Sequence, residues 1–332
     1  MELLQHINSP KDLKGLKEDQ LPQLCKEIRE FFIERVLKNG GHFSGNLGVV
    51  ELTVALHYVY DFEDDRLVWD VGHQAYIHKM LTGRMDAFDT IRSWNGLSGF
   101  PKREESHYDH FGTGHSSTSI SAVLGMAEAA IQQGKEREHV AVIGDGSLSG
   151  GMALEALNNL GVSMAKVLVI INDNQMGIDP SQGAISHHLS EIDHCSPNLF
   201  ENFILPYIGP TDGHDVIQLV EDLRMLSKQE GPRVLHIKTL KGKGYAEAEE
   251  EQTKWHSVKY VKLDGLAPTT LEVKPDRFQD VFGKTLLELA KKDERVVGIT
   301  PAMPSGSSMI LLMKEMPERV YDVGIAEQHA VT

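Results

Sequence analysis

Two short polar triplets, Gly144-Asp145-Gly146 and Asn172-Asp173-Asn174, each follow an uninterrupted apolar run, His139–Ile143 and Val167–Ile171. Runs of this kind, rich in β-branched residues, belong to strands covered on both faces of a parallel sheet. Both triplets therefore fall at strand carboxyl ends, where α/β sheets hold their ligands. One helix separates Asp145 from Asn174 in this reading. A carboxylate and an amide oxygen are hard ligands of the kind Mg²⁺ takes, the ion completing its shell with phosphate oxygens and water. Glycines beside Asp145 let a diphosphate come close to the backbone. A lone Gly-Asp-Gly is an ordinary turn; the second triplet on a neighbouring strand end gives this one its meaning.

Other groups able to do chemistry sit beside glycines. His42, His73 and His115 fall at loops or helix starts, and imidazoles there can move protons or bind substrate oxygens. His256 follows Trp255 in a less distinctive setting, and Lys241 and Lys243 lie in a Gly-rich loop that suits either phosphate or solvent. Glu327 stands in Ala326-Glu-Gln-His-Ala330, where an acidic residue is also an ordinary first-turn helix residue.

The elements that must position these groups follow from periodicity. Leu21, Leu24, Ile28, Phe31, Phe32 and Val36 recur at helical spacing and predict a helix over 18–38, ended by Gly40-Gly41. A helix over about 49–60 and a strand at Leu67–Trp69 follow, the strand delivering Asp70-Val71-Gly72-His73-Gln74 to its carboxyl end. Residues 92–111 read as loop, and Gly114-His115-Ser116-Ser117 opens a helix over 120–133. A helix over 151–160 lies between the two apolar strands and completes a βαβ rhythm. Residues 179–197 read as irregular. A helix over 215–229 and a strand over 233–239 follow. From Tyr245 to about Asp276 the chain is charged, without clear periodicity, and linker-like. A second α/β unit then begins, with helices over 277–291 and 306–316 and strands over 295–300 and 319–323. The fold class is thus α/β: a parallel sheet flanked by helices over 1–261, a linker over 262–276, and the start of a second α/β unit over 277–332.

The 332 residues suit about two domains. With 41% hydrophobic and 24% charged residues the composition is that of a globular protein. The formal net charge of −15 argues against a nucleic-acid surface and against anionic membranes. No apolar run approaches the roughly 20 residues that span a bilayer, and the N-terminus lacks the pattern of a signal peptide. Cys25 and Cys195 show neither metal-ligand spacing nor a disulfide framework. A reducing cytoplasm is the expected setting.

Longer strings give these residues a context. His42-Phe-Ser-Gly-Asn-Leu-Gly48, Trp69-Asp-Val-Gly-His-Gln-Ala-Tyr76, Gly114-His-Ser-Ser-Thr-Ser-Ile-Ser121, Tyr207-Ile-Gly-Pro-Thr-Asp-Gly-His-Asp215 and Ala326-Glu-Gln-His-Ala-Val-Thr332 resemble the 1-deoxy-D-xylulose-5-phosphate synthase family, relatives of the transketolases. The resemblance implies thiamine diphosphate (ThDP) and Mg²⁺ as cofactors, and condensation of pyruvate with D-glyceraldehyde 3-phosphate, with loss of CO₂. It makes 1–261 a ThDP diphosphate- and Mg-binding domain and 277–332 the start of a pyrimidine-binding domain. Carried over residue by residue, it implies that Asp145, Asn174 and the carbonyl of Met176 hold Mg²⁺. Gly114, His115, Ser116, Gly144, Gly146 and Ser147 would surround the diphosphate, while His42 and His73 face the reacting carbons and His256 joins the pocket. Glu327 would hydrogen-bond the pyrimidine N1′, which requires a shielded carboxyl.

Two departures from the family pattern stand out. The segment between Asn174 and Tyr207 is much shorter than the family leads one to expect, and the likeness covers only about the first half of a family member. The expectation is a fragment that works as a homodimer or with a separate C-terminal half. The alternatives are the N-terminal subunit of a transketolase, or a cofactor-binding remnant without activity.

Overall fold

A computed structural model describes residues 2–194, 197–259 and 275–332. Cys195 and residues 262–274 of the expected linker lie outside them. The strands are β1 Gly41–His42, β2 Arg66–Trp69, β3 His139–Gly144, β4 Val167–Asp173, β5 Tyr207–Asp212, β6 Arg233–Lys238, β7 Ser257–Val258, β8 Gly298–Thr300 and β9 Val320–Asp322. Five form one parallel sheet in the order β2-β3-β4-β6-β5. β1 pairs antiparallel with β7, and β8 pairs parallel with β9 in a separate ladder.

Helices cover both faces of the large sheet, so the strand residues alternate between two cores. Leu67, Trp69, Val140, Val142, Leu168 and Ile170 face the helices Leu21–Asn39, Val50–Val59 and Val216–Ser227. Val68, Ala141, Ile143, Val169 and Ile171 face the helices Ser119–Gln132 and Gly151–Leu160. Two-sided burial accounts for strands that read as unbroken apolar runs. Among the described residues, no helix is long and apolar enough to cross a membrane.

The structure corrects three sequence-based expectations. The segment read as irregular contains the helix Ala184–Ser190, whose Leu189 is fully buried in the second core. Tyr207–Asp212, read as a lead-in to the next helix, is an edge strand carrying a bulge between Ile208 and Thr211. The charged stretch after Tyr245 contains the helix Ala246–Glu250, a 3₁₀ turn at Lys254–His256 and β7. In β5 a Gly-Pro pair breaks the alternation that marks a strand, and proline is confined to sheet edges.

Two carboxylates anchor the surroundings of the site. Buried Asp70 accepts from the backbone N–H groups of Ser117 and Ser119 at 2.8 and 3.0 Å, which fixes the start of the helix Ser119–Gln132 against the end of β2. Buried Asp109 accepts both Arg84 guanidinium nitrogens at 2.7 and 2.9 Å and His78 Nε2 at 3.1 Å. Asp109 also accepts Lys102 N at 2.8 Å, and Glu105 accepts Ser98 N at 2.6 Å. Arg84 and Lys79 both pair with Glu105. The loop through Phe100 is thus tied to a buried ionic knot.

A third carboxylate, Glu27, holds the N-terminal segment through the amides of Glu2, Leu3 and Leu4 at 3.1, 3.0 and 2.9 Å. Burial would raise its pKa, but these hydrogen bonds and one from Gln23 bring it down to about 2. A depressed carboxylate stabilises the fold above its unfolded value and loses that contribution as the pH falls through the folded one. Between pH 4.5 and about 2, hydrogen-exchange protection of the Leu3 and Leu4 amides should therefore be lost ahead of protection in β3 and β4.

Candidate active site

The carboxyl ends of β2, β3, β4 and β6 open on one cavity of about 340 Å³, within the range of small-molecule sites. It is closed on the far side by Pro301, Ala302, Met303, Ile325 and Glu327 from the second unit. Every residue expected at the site lines it: His42, His73, Gly114, His115, Ser116, Gly144, Asp145, Gly146, Ser147, Asn174, Met176, His256 and Glu327. Lys241 lines it as well, whereas Lys243 does not; the Lys243 carbonyl instead accepts Arg29 Nε at 3.0 Å.

Asp145 is the first residue of the short helix Asp145–Leu148, so the amides of Gly146 and Ser147 lie in a first turn without helical acceptors. Asp145 is 2% exposed. Its Oδ2 accepts from Ser181 Oγ at 2.7 Å, and Oδ1 from Asn174 N at 3.4 Å. Burial, with neighbouring Asp173 adding repulsion, pushes its pKa up to about 6. Removal from water outweighs the hydrogen bonds that would favour the charged form. Lys241 is buried beside it, Nζ donating to the carbonyl of Gly177, and burial brings its pKa down to about 8.

At the other end of the cavity three imidazoles stand at the corners of a triangle. The ring centroids of His42, His73 and His256 are each 5.8 Å from the other two. The β1–β7 ladder sets His42 opposite Ser257, next to His256. Burial is the main reason all three titrate low: to about 4 for His42, to about 3 for His256, and well below the usual value for His73. All three are neutral at pH 7. Glu327 opens the helix Glu327–Val331 and is half-buried at the cavity wall.

The geometry suits a diphosphate with a small hard cation. A Cβ built at Gly114 or Gly144 would meet no protein atom within 4 Å, so both glycines leave open space along the cavity wall. One carboxylate, an amide oxygen and a backbone carbonyl form an oxygen-only donor set, which suits Mg²⁺ and leaves positions for phosphate. Among the described residues no three His, Cys, Asp or Glu side chains converge on a metal. A cation here would rely on the neutral oxygens beside Asp145.

Phe100, Ile178 and Ile325 also line the cavity and were not singled out in the sequence. Phe100 lies 5.3 Å from the His42 ring, centroid to centroid. Only its place in a Gly-rich loop marked it.

The 1-deoxy-D-xylulose-5-phosphate synthase family model matches residues 4–196 and 192–239, and the transketolase pyrimidine-binding domain model matches 277–332. The chain belongs to the 1-deoxy-D-xylulose-5-phosphate synthase family. Family members from Cytophaga hutchinsonii and Chromobacterium violaceum are each 50% identical to it, over 100% and 99% of this chain. They are longer: the chain spans 59% and 60% of their lengths. The Cytophaga alignment runs to 375 positions against 332 residues, so at least 43 have no counterpart here. The two pieces of the family match meet at 192–196, inside the short connection between Asn174 and Tyr207. Among solved structures, transketolase from Campylobacter jejuni superposes with a TM-score of 0.62 at 18% identity, covering 95% of this chain and 62% of that one. Transketolase from Leishmania mexicana gives 0.59 at 20% identity, covering 90% and 48%. At these identities the likeness carries the fold alone.

Proposed function

We propose that this chain provides the diphosphate- and metal-binding part of a ThDP-dependent synthase that joins pyruvate to D-glyceraldehyde 3-phosphate, releasing CO₂ and forming 1-deoxy-D-xylulose 5-phosphate. The observation that carries the reading is the convergence of all the expected residues on one cavity between the sheet and the second unit. Identity of 50% to synthases favours it over a transketolase subunit.

ThDP, when bound, would supply a nucleophilic carbon for a ketone and a sink for the charge left on decarboxylation. The residues here hold and orient it. Asp145, the Asn174 side chain and the Met176 carbonyl take Mg²⁺, and the amides of Gly146 and Ser147 donate to the diphosphate. Gly114, His115 and Ser116 form the facing wall, and Lys241 adds a cation at the phosphate end. Glu327 hydrogen-bonds the pyrimidine. The neutral imidazoles of His42, His73 and His256 surround the reacting carbons, while Ile178, Met303 and Ile325 exclude water. The reading carries with it a homodimer, which sedimentation velocity would show.

The test is product formation by the purified chain from pyruvate and D-glyceraldehyde 3-phosphate with ThDP and Mg²⁺, beside Glu327→Gln. Any product formed should fall by about 10²–10⁴-fold in the variant, the range for a positioned proton-transfer group. Calorimetric titration of ThDP with and without Mg²⁺ accompanies it. Absence of Mg²⁺-dependent ThDP binding would overturn the assignment of the cavity.

A further inference from the structure

Tyr76 is a fully buried phenol immediately behind the site. It lies among Phe32, Phe88 and His42, with ring centroids 6.2, 6.0 and 5.9 Å away. Its hydroxyl accepts from His42 N at 3.3 Å, and the positive charge of Arg92 lies nearby. A phenol has two acceptor lone pairs and a single proton to give. With the His42 amide directed at the oxygen, the phenol's own proton is left for His42 Nδ1, 3.4 Å away. An imidazole whose Nδ1 accepts a hydrogen bond keeps its own proton on Nε2.

We propose that Tyr76 is a positioning residue that fixes the tautomer of His42, so that His42 presents Nε2–H to the cavity as a hydrogen-bond donor. The proposal rests on the reading of the cavity given above and assigns His42 its direction of action there. Nδ1 is taken by the phenol, and Nε2 remains for the cavity that His42 lines. The rings of His73 and His256 and the guanidinium of Arg92 also face His42. None of them supplies a negative charge that would favour imidazolium. A neutral donor of this kind suits a ketone or carboxylate oxygen of a small substrate, and it cannot act as a base through the same nitrogen.

The test is long-range ¹H–¹⁵N correlation of the full chain labelled with ¹⁵N-histidine, near pH 7.5, with His42 assigned from His42→Gln. The expected wild-type pattern is a single tautomer protonated at Nε2. Tyr76→Phe should replace it with a mixture of tautomers or a proton on Nδ1, while circular dichroism and the unfolding transition show a folded protein. Should Tyr76→Phe fail to fold, 3-fluorotyrosine incorporation takes its place. Its more acidic hydroxyl keeps the packing and should shift the His42 Nδ1 resonance. A wild-type proton on Nδ1, an unchanged tautomer in folded Tyr76→Phe, or an unmoved Nδ1 with fluorotyrosine would each overturn the proposal. These spectra need neither cofactor nor substrate, so their failure is separate from a failure of product formation.

Discussion

Asp109→Ala is expected to destabilise the protein by about 3–5 kcal/mol, the range for breaking a buried ion pair by removing one partner. Burial alone would raise this carboxyl's pKa, but hydrogen bonds from His78 and Arg84 hold it well below the usual carboxylate range. Deleting it leaves Arg84, which is 7% exposed, and Lys79, which is fully buried, facing Glu105 alone. It also leaves the Lys102 amide without its acceptor. For a unit of this size each kcal/mol moves the midpoint by about 2–4 °C, so differential scanning should record a fall of roughly 10 °C. Asp109→Asn keeps the shape and one acceptor and should fall less. Because the same knot ties down the loop through Phe100, ThDP binding should weaken in Asp109→Ala even where the protein remains folded. A midpoint within about 2 °C of wild type would show that the knot contributes little.

Asp145→Asn should move stability and binding in opposite directions. Without a cation the carboxylate is buried and its pKa is raised from 3.8 to about 6. A folded value above the unfolded one means that the folded chain holds the extra proton, so stability falls as the pH rises through that window. At about 1.4 kcal/mol per unit, relieving the charge returns at most about 3 kcal/mol near pH 7, less whatever the Ser181 hydrogen bond contributes. The variant should therefore melt higher than wild type in EDTA at pH 7.5 and no differently at pH 3.5. With Mg²⁺ and ThDP at about a hundred times the dissociation constant, wild type should gain about 2.7 kcal/mol. The variant should gain close to nothing. A ligand-induced shift of equal size in both would remove Asp145 from the metal site.

The parts legible in the sequence were those where one physical signal dominated. β3 and β4 are buried on both faces, and their apolar runs marked them together with the site residues at their ends. The helix Gly151–Leu160 was legible, with approximate bounds, because its apolar positions face one core. What escaped was held by contacts distant in sequence. The helix Ala184–Ser190 has only seven residues, several of them polar, and owes its place to Leu189. β1 and β7 are two residues each, too short for any period to register. The His triangle followed from that ladder, so each histidine could be suspected singly while their proximity could not be read. The Asp109 knot was invisible for the same reason: Glu105 and Asp109 lie in a stretch that reads as loop, and His78, Lys79 and Arg84 reach them from an earlier segment.

The same two-residue ladder makes the large unit behave like a loop of cord fastened at its two ends. Gly41 and His42 are joined to Val258 and Ser257 across more than two hundred intervening residues. During synthesis the five-stranded sheet has all its strands once residue 238 has emerged, yet the wall holding His42 waits for a segment some twenty residues further on. A nascent chain or proteolytic product lacking residues 254–259 would keep its sheet, lose His256, and leave His42 without the strand that locates it. Cleavage near residue 250 should thus disable the pocket with little loss of secondary structure, so limited proteolysis could destroy the site while the fold endures.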